Sequence, residues 1–161
     1  MPMTPDRSPD REAPDREVPD RDDVGGVRRL PLPGARGAVA RSRVFTADAL
    51  LDWRWLPAAD QDRQEAAQDV LLLVSELVAN ACVHTSGPTE LTLSRTPERL
   101  RIEVGDQGRA LPVPRRRQRP GRPGGHGLLI VDRLSTRWGV EQREHGKAVW
   151  VEVSAPATPG R

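Results

Sequence analysis

One long apolar segment with helical spacing restricts the fold of this 161-residue chain most strongly, and its residues 71 to 85 read LLLVSELVANACVHT. The segment predicts a helix that starts near Asp60 or Asp62, with acids in its first turn, and runs to about Cys82. Apolar side chains at helical spacing share one face of it, namely Ala67, Val70, Leu71, Val74, Leu77, Val78 and Ala81. The sequence therefore predicts an amphipathic core helix.

Glu76 and Asn80 interrupt this segment one turn apart and lie roughly opposite its apolar face. A solvated outer face would explain both polar residues. However, Leu72 and Leu73 lie beside Glu76 and Val83 lies beyond Asn80, which predicts that the later turns are covered. Apolar walls with a few polar groups are typical of ligand pockets. A solvent face and a pocket floor therefore both remain open.

Shorter patterns predict the other elements. They are an edge strand at 27–34, a helix within 35–53, a hairpin of 89–96 and 99–106, a helix within 126–138, and a second hairpin of 137–144 and 147–154. Strand pairs flanked by helices, without regular strand–helix alternation, are typical of an α+β fold. We predict a two-layer α/β sandwich with a mixed, mostly antiparallel sheet and helices on one face.

Composition divides the chain into three parts. Residues 1–26 repeat Pro-Asp-Arg and offer almost nothing to a core, so we predict a disordered tail there. The domain is expected at 27–154, followed by a disordered C-terminal tail at 155–161. The first 25 residues carry a charge of about −4 and the remainder about +6, which suits either nucleic acid or an anionic small ligand.

Several classes of protein are not expected. The lone Cys82 excludes an internal disulfide, and we find neither an 18-residue apolar stretch nor a signal peptide, so a cytoplasmic protein without a membrane segment is predicted. The RRRQRPGR stretch lacks aromatic residues for stacking, and no zinc or helix-turn-helix pattern is present. Nucleic acid is therefore not an expected partner.

Two glycine turns follow the apolar helix. VGDQG (104–108) places Asp106 where a strand ends, although Asp before Gly is also common in ordinary turns. PGGHGLL (123–129) has three glycines leading into a helix, where free backbone N–H groups and the helix dipole favour phosphate. A flexible hinge before the helix is the alternative.

Together, ELVANACVH, VGDQG and PGGHGLL resemble the GHKL (histidine kinase-like) ATPase domain. The likeness is greatest to the stand-alone anti-sigma-factor serine/threonine kinases and related actinobacterial ATP-binding regulators. It covers about residues 27–154, and GKAVW (146–150) resembles the last hairpin of that family. The resemblance implies the Bergerat-type ATP-binding fold, with ATP and Mg²⁺ as cofactors.

The resemblance also implies roles for individual residues. Asn80 would bind the magnesium ion, and Glu76 would be the general base. Asp106, with Gly108 beside it, would accept a hydrogen bond from the adenine amino group, although Ala110 stands where the fuller motif has a second glycine. The phosphate and lid region would be lined by Gly125, Gly127 and Leu128.

For function, the resemblance implies an ATP-binding regulator. It would be an anti-sigma-factor-type kinase that phosphorylates a serine or threonine of a STAS-domain (anti-anti-sigma) partner and that also sequesters a sigma factor. The alternative is a non-catalytic module whose binding to a partner depends on nucleotide. Relatives of this kind are often dimers, which leaves a homodimer open.

Overall fold

The computed structural model describes residues 26–108 and 126–156, and for residues 126–128 it describes only the backbone. Its elements in chain order are β1 (Gly26–Pro31), α1 (Ala38–Asp52), α2 (Gln61–His84), β2 (Pro88–Arg95), β3 (Arg99–Asp106), α3 (His126–Leu134), β4 (Arg137–Arg143) and β5 (Gly146–Ser154). Of the tail predicted at 1–26, Gly26 is described and begins β1. Residues 1–25, the end of the second tail at 157–161 and Gly125 lie outside the described residues.

The described strands form one five-stranded sheet in the order β1-β2-β3-β5-β4. Both predicted hairpins are present, and β3 pairs with β5 to join them. Pro31 ends β1, and a proline cannot donate to a strand on its other side, which suits the edge position that the sequence predicts. The α+β class is confirmed, and all four strand pairings in the described part of the chain are antiparallel.

The two faces of the sheet have different chemistry. On the face toward the helices, Ile102 of β3 lies opposite Val151 of β5, and both are fully buried. On the other face, Arg101 forms ion pairs with Glu103 and Glu152 and lies 4.4 Å from the centre of the Trp150 ring. The helices therefore cover one face only, and the opposite face is a polar surface, as in a two-layer sandwich.

Helix α2 begins where its sequence predicts. The side chain of Asp60 accepts a hydrogen bond of 2.8 Å from the backbone N–H of Arg63, which satisfies one of the free donors of the first turn. The buried side chains of this helix are Ala67, Val70, Leu73, Val74, Ser75, Leu77, Val78 and Ala81. Packing of this face on the sheet forms the centre of the core.

The burial of α2 differs from the helical-wheel prediction at its margins. Leu71, predicted to lie in the core, is half-buried, whereas Leu73 is 0% exposed. Beside Glu76 and Asn80, Leu73 is covered by the protein, whereas Leu72 is 41% exposed and Val83 is 71% exposed. A bound ligand would also provide the predicted cover, so the prediction stays open at these two residues. A helical wheel assumes that a helix has a single buried face. Here α1 and α3 both contact α2, so parts of its flanks are buried as well.

Helix α2 is also long and apolar enough to cross a membrane by length and composition, with a mean hydropathy of 1.5 over an 18-residue window. The sequence prediction that the chain lacks an 18-residue apolar stretch is therefore wrong by this hydropathy criterion. Core helices of globular domains pass the same test, and the apolar face of α2 packs in the core.

Truncation of Leu73 tests the observed orientation of α2. Leu73→Ala should lower the free energy of unfolding by about 2–5 kcal/mol, because it leaves a cavity in a closed part of the core. The neighbouring Leu72→Ala makes the same chemical change at an exposed position and should cost less than about 1 kcal/mol. Urea denaturation measures both, and equal losses would contradict the orientation.

Candidate functional site

Asp106 lies at the end of β3 and is buried, although it carries a carboxylate. Its Oδ1 accepts a hydrogen bond of 2.7 Å from the backbone N–H of Gly108 and one of 2.9 Å from Nζ of Lys147. Within the described residues no donor bonds to Oδ2. One oxygen of this carboxylate is therefore fixed by the protein, and the other keeps its acceptor capacity.

Strand register explains why Lys147 reaches this carboxylate. Asp106 and Lys147 are directly opposite each other in the antiparallel pairing of β3 and β5, so their side chains lie on the same face. That face is the one toward the helices, and the two side chains are 2% and 4% exposed. Each buried charge needs a partner of opposite sign, and the pair supplies it.

Gly108 is closely surrounded by the ends of three side chains. A Cβ atom there would lie 2.9 Å from Cγ2 of Thr85, 3.0 Å from Oδ1 of Asp106 and 3.1 Å from Nζ of Lys147. A side chain there would therefore displace the ends of these neighbouring side chains, because the turn after β3 packs against the end of α2 and the start of β5. The structure thus gives a physical reason for the glycine that the VGDQG motif singles out.

The end of α2 is anchored beside this turn. Thr85 caps the helix, and its hydroxyl donates to the carbonyl oxygen of Ala81 at 2.5 Å and accepts from the N–H of Gly87 at 3.0 Å. Asn80 lies five residues before Thr85, which is roughly 7.5 Å along a helix axis. The last turns of α2 and the buried carboxylate of Asp106 therefore belong to one region of the fold.

Asn80 lies on the side of α2 opposite Cys82, and Glu76 lies one turn earlier. Sγ of Cys82 lies 3.8 Å from the carbonyl oxygen of Ala35, so Cys82 faces the segment before α1. Asn80 precedes Cys82 by two residues, which is about 200° around a helix. Both Glu76 and Asn80 are half-buried, so this flank is neither core nor open surface.

Two side chains of α2 have shifted pKa values. Burial raises the pKa of the Asp69 carboxyl, and the nearby charge of Glu65 raises it further. Asp69 lies seven residues before Glu76 and so on nearly the same side of the helix. Burial also raises the pKa of the Cys82 thiol.

The structure brings together only some of the predicted site residues. Asp106 and Gly108 are in contact, and Glu76 and Asn80 lie one turn apart on the adjacent helix. Gly127 and Leu128 lie in the first turn of α3, which packs on α2. Gly125 lies outside the described residues. The roles of all these residues remain predictions.

Lys147 is the site residue that the sequence analysis missed. It is the only lysine among 25 cationic side chains of the chain, and it lies within the GKAVW segment. Pairing the predicted strands would place it opposite Asp106, but no local pattern indicates that register. The single lysine could therefore have drawn attention to this position, but no local pattern identified Asp106 as its partner.

The residues present fit a magnesium nucleotide. Oδ2 of Asp106, to which no described residue donates, suits a base amino group, and the side-chain oxygen of Asn80 is a ligand that the hard Mg²⁺ ion accepts. Among the described residues no group of three His, Cys, Asp or Glu side chains could hold a metal. A magnesium ion at Asn80 would therefore take further ligands from phosphate and water.

A double-mutant cycle tests the buried ion pair. Lys147→Met and Asp106→Asn should each lower the free energy of unfolding by about 3–5 kcal/mol, since each leaves one buried charge without its partner. The double variant should lose less than the sum of the two. Additive losses in urea denaturation would show that the two side chains do not interact.

Comparison with known proteins agrees with this geometry. No curated protein matches the chain. The family model described as the histidine kinase-like ATPase domain matches residues 46–153, which is more than half of the chain and includes both Asn80 and the Asp106–Lys147 pair. The described fold, an antiparallel sheet with helices on one face, is consistent with that family. The chain therefore belongs to the histidine kinase-like ATPase domain family, whose members bind ATP.

Proposed function

We propose that this ATP-binding regulatory protein is a serine/threonine kinase of the anti-sigma-factor type, whose substrate is a STAS-domain protein. The observation that carries the proposal is Glu76, a half-buried carboxylate one turn before Asn80 on the same flank of α2. ATP binding alone does not require a carboxylate there, whereas transfer to a hydroxyl needs a group that orients it or takes its proton.

Each residue of the site has a distinct task in this proposal. Asp106 binds the base, Asn80 contributes an oxygen to the magnesium ion, and Glu76 accepts the proton of a serine or threonine hydroxyl of the partner. When bound, ATP would supply the phosphoryl group and leave as ADP, and the magnesium ion would neutralise phosphate charge. The nucleophile belongs to the partner, and the reaction belongs in the cytoplasm, where ATP is available.

The alternative is a module that sequesters its partner, for example a sigma factor, and that needs nucleotide without transferring phosphate. It uses Asp106 and Asn80 in the same way but assigns no chemistry to Glu76. The two functions therefore differ in the consequence of changing that single carboxylate.

Asn80→Ala tests the nucleotide site. Magnesium ATP at millimolar concentration should raise the melting temperature of the wild-type protein, and Asn80→Ala should remove most of that shift because the metal loses its protein ligand. Gln68→Ala, which removes an exposed amide from the same helix, is the control and should keep the shift. An unshifted wild-type protein would argue against nucleotide binding itself.

Glu76→Gln tests the kinase. With labelled ATP, Mg²⁺ and a panel of STAS-domain proteins, the wild type should label one of them, and Glu76→Gln should lower that rate at least about 100-fold, in the range of a lost general base. Glu65→Gln, an exposed change on the same helix, should keep the rate. The melting shift with ATP should survive in both variants.

Two results would separate the candidates. If no STAS-domain protein is labelled while nucleotide-sensitive partner binding persists in Glu76→Gln, the sequestering module is the correct function. If labelling persists in Glu76→Gln, phosphoryl transfer occurs without this carboxylate and its proposed role is wrong.

A further inference from the structure

Thr85 lies at the point where α2 ends and the chain turns toward β2. Its hydroxyl donates a hydrogen bond of 2.5 Å to the carbonyl oxygen of Ala81 and accepts one of 3.0 Å from the N–H of Gly87. These two bonds fix the rotation of the side chain, because a β-branched residue has few χ1 rotamers to begin with. The direction of its methyl group is thereby fixed as well.

The hydroxyl connects α2 to Asp106 through the backbone. Gly87, which donates to this hydroxyl, is followed directly by Pro88, and Pro88 is the residue of β2 that pairs with Asp106 of β3. Gly87 and Pro88 are both buried, so this short segment is enclosed by protein. The start of β2 is therefore tied to the last turn of α2 at the register position of Asp106.

The methyl group of Thr85 makes a second connection, to the turn after β3. Cγ2 lies 2.9 Å from the position that a Cβ atom would take at Gly108, so the methyl group lies directly beside this glycine. The N–H of Gly108 in turn donates to Oδ1 of Asp106 at 2.7 Å. The hydroxyl and the methyl group therefore lead to Asp106 by different routes.

We propose that Thr85 is a positioning residue of the nucleotide site and sets the separation between Asn80 and Asp106. The inference rests on the proposed binding of the base at Asp106 and of the magnesium ion at Asn80. Asn80 precedes Thr85 by five residues at the end of the same helix, and the two connections of Thr85 join that helix end to Asp106. In this role Thr85 acts through the two binding residues and not on the nucleotide itself.

The separation matters because a magnesium nucleotide would be held at two points of the protein. A ligand held at two points gains affinity from the second contact only when the protein presents both contacts at the right distance. A displacement of about 1 Å is enough to lose much of such a gain. Loss of the Thr85 connection should therefore weaken the combined binding more than the binding at either point alone.

Titration calorimetry of the full chain with ADP, in Mg²⁺ and in EDTA, tests this role without any transfer reaction. Magnesium should tighten ADP binding by the wild type, because Asn80 contributes only when the metal is present. Thr85→Ser keeps the hydroxyl and removes the methyl group. It should reduce the gain from magnesium about tenfold, in the range of coupling between neighbouring residues, while metal-free ADP binding stays within about twofold of the wild type.

Thr46→Ser is the matched control. Thr46 is a fully buried threonine of α1 whose hydroxyl donates to the carbonyl oxygen of Ser42, four residues earlier, as the hydroxyl of Thr85 does to Ala81. Helix α1 carries none of the predicted site residues. The same change there should lower the melting temperature and keep the gain from magnesium. If Thr85 were merely structural, Thr85→Ser would behave in the same way.

A second variant covers the case in which Thr85→Ser does not fold. Thr85→Val keeps the methyl group and removes both hydrogen bonds of the hydroxyl, so it breaks the connection to Gly87. It should also reduce the gain from magnesium and keep the binding of metal-free ADP.

The remaining outcomes are distinct. A gain from magnesium that survives in both variants of Thr85 would overturn the positioning role and leave the proposed nucleotide site intact. Equal weakening of ADP with and without Mg²⁺ would also overturn it, because Thr85 would then act at Asp106 alone. Wild-type binding of ADP that does not depend on Mg²⁺ would overturn both the metal role of Asn80 and this inference. A wild type that binds no ADP would overturn the proposed nucleotide site itself.

Discussion

Burial of one face of α2 against the antiparallel sheet is the constraint from which the position of each candidate site residue follows. The buried face of α2 includes Val70, Val74 and Val78, and Glu76 and Asn80 lie outside that face. Glu76 and Asn80 are thereby held half-buried near the edge of the core, where water is partly excluded. In such surroundings a carboxylate and an amide interact more strongly with a charged ligand than they would on an open surface.

The strand register of the same sheet positions the other candidate site residues. Asp106 and Lys147 come from strands that are distant in sequence, and only their direct opposition places the ion pair on the face toward the helices. The close packing of Gly108 against Thr85 then joins this pair to the end of α2. The end of α2 and this pair of strands therefore meet at one place, which contains several of the candidate site residues.

The parts of the fold that the sequence predicted are those encoded by local periodicity. The helix over Gln61–His84 and both hairpins have strong repeating patterns, and Asp60 is a recognisable helix cap. The burial of Leu73 and the exposure of Leu72 could not be predicted, because they depend on which neighbouring helices flank α2. Lys147 was missed for a related reason, since its partner is 41 positions away and only strand register connects them.

The fixed oxygen of Asp106 has a consequence for how a ligand is recognised. Its Oδ1 is already held by the backbone N–H of Gly108 and by Lys147. The entropy lost in ordering this carboxylate is therefore part of folding and not of ligand capture. A ligand that binds at this carboxylate would therefore meet an oxygen whose protein partners are already in place.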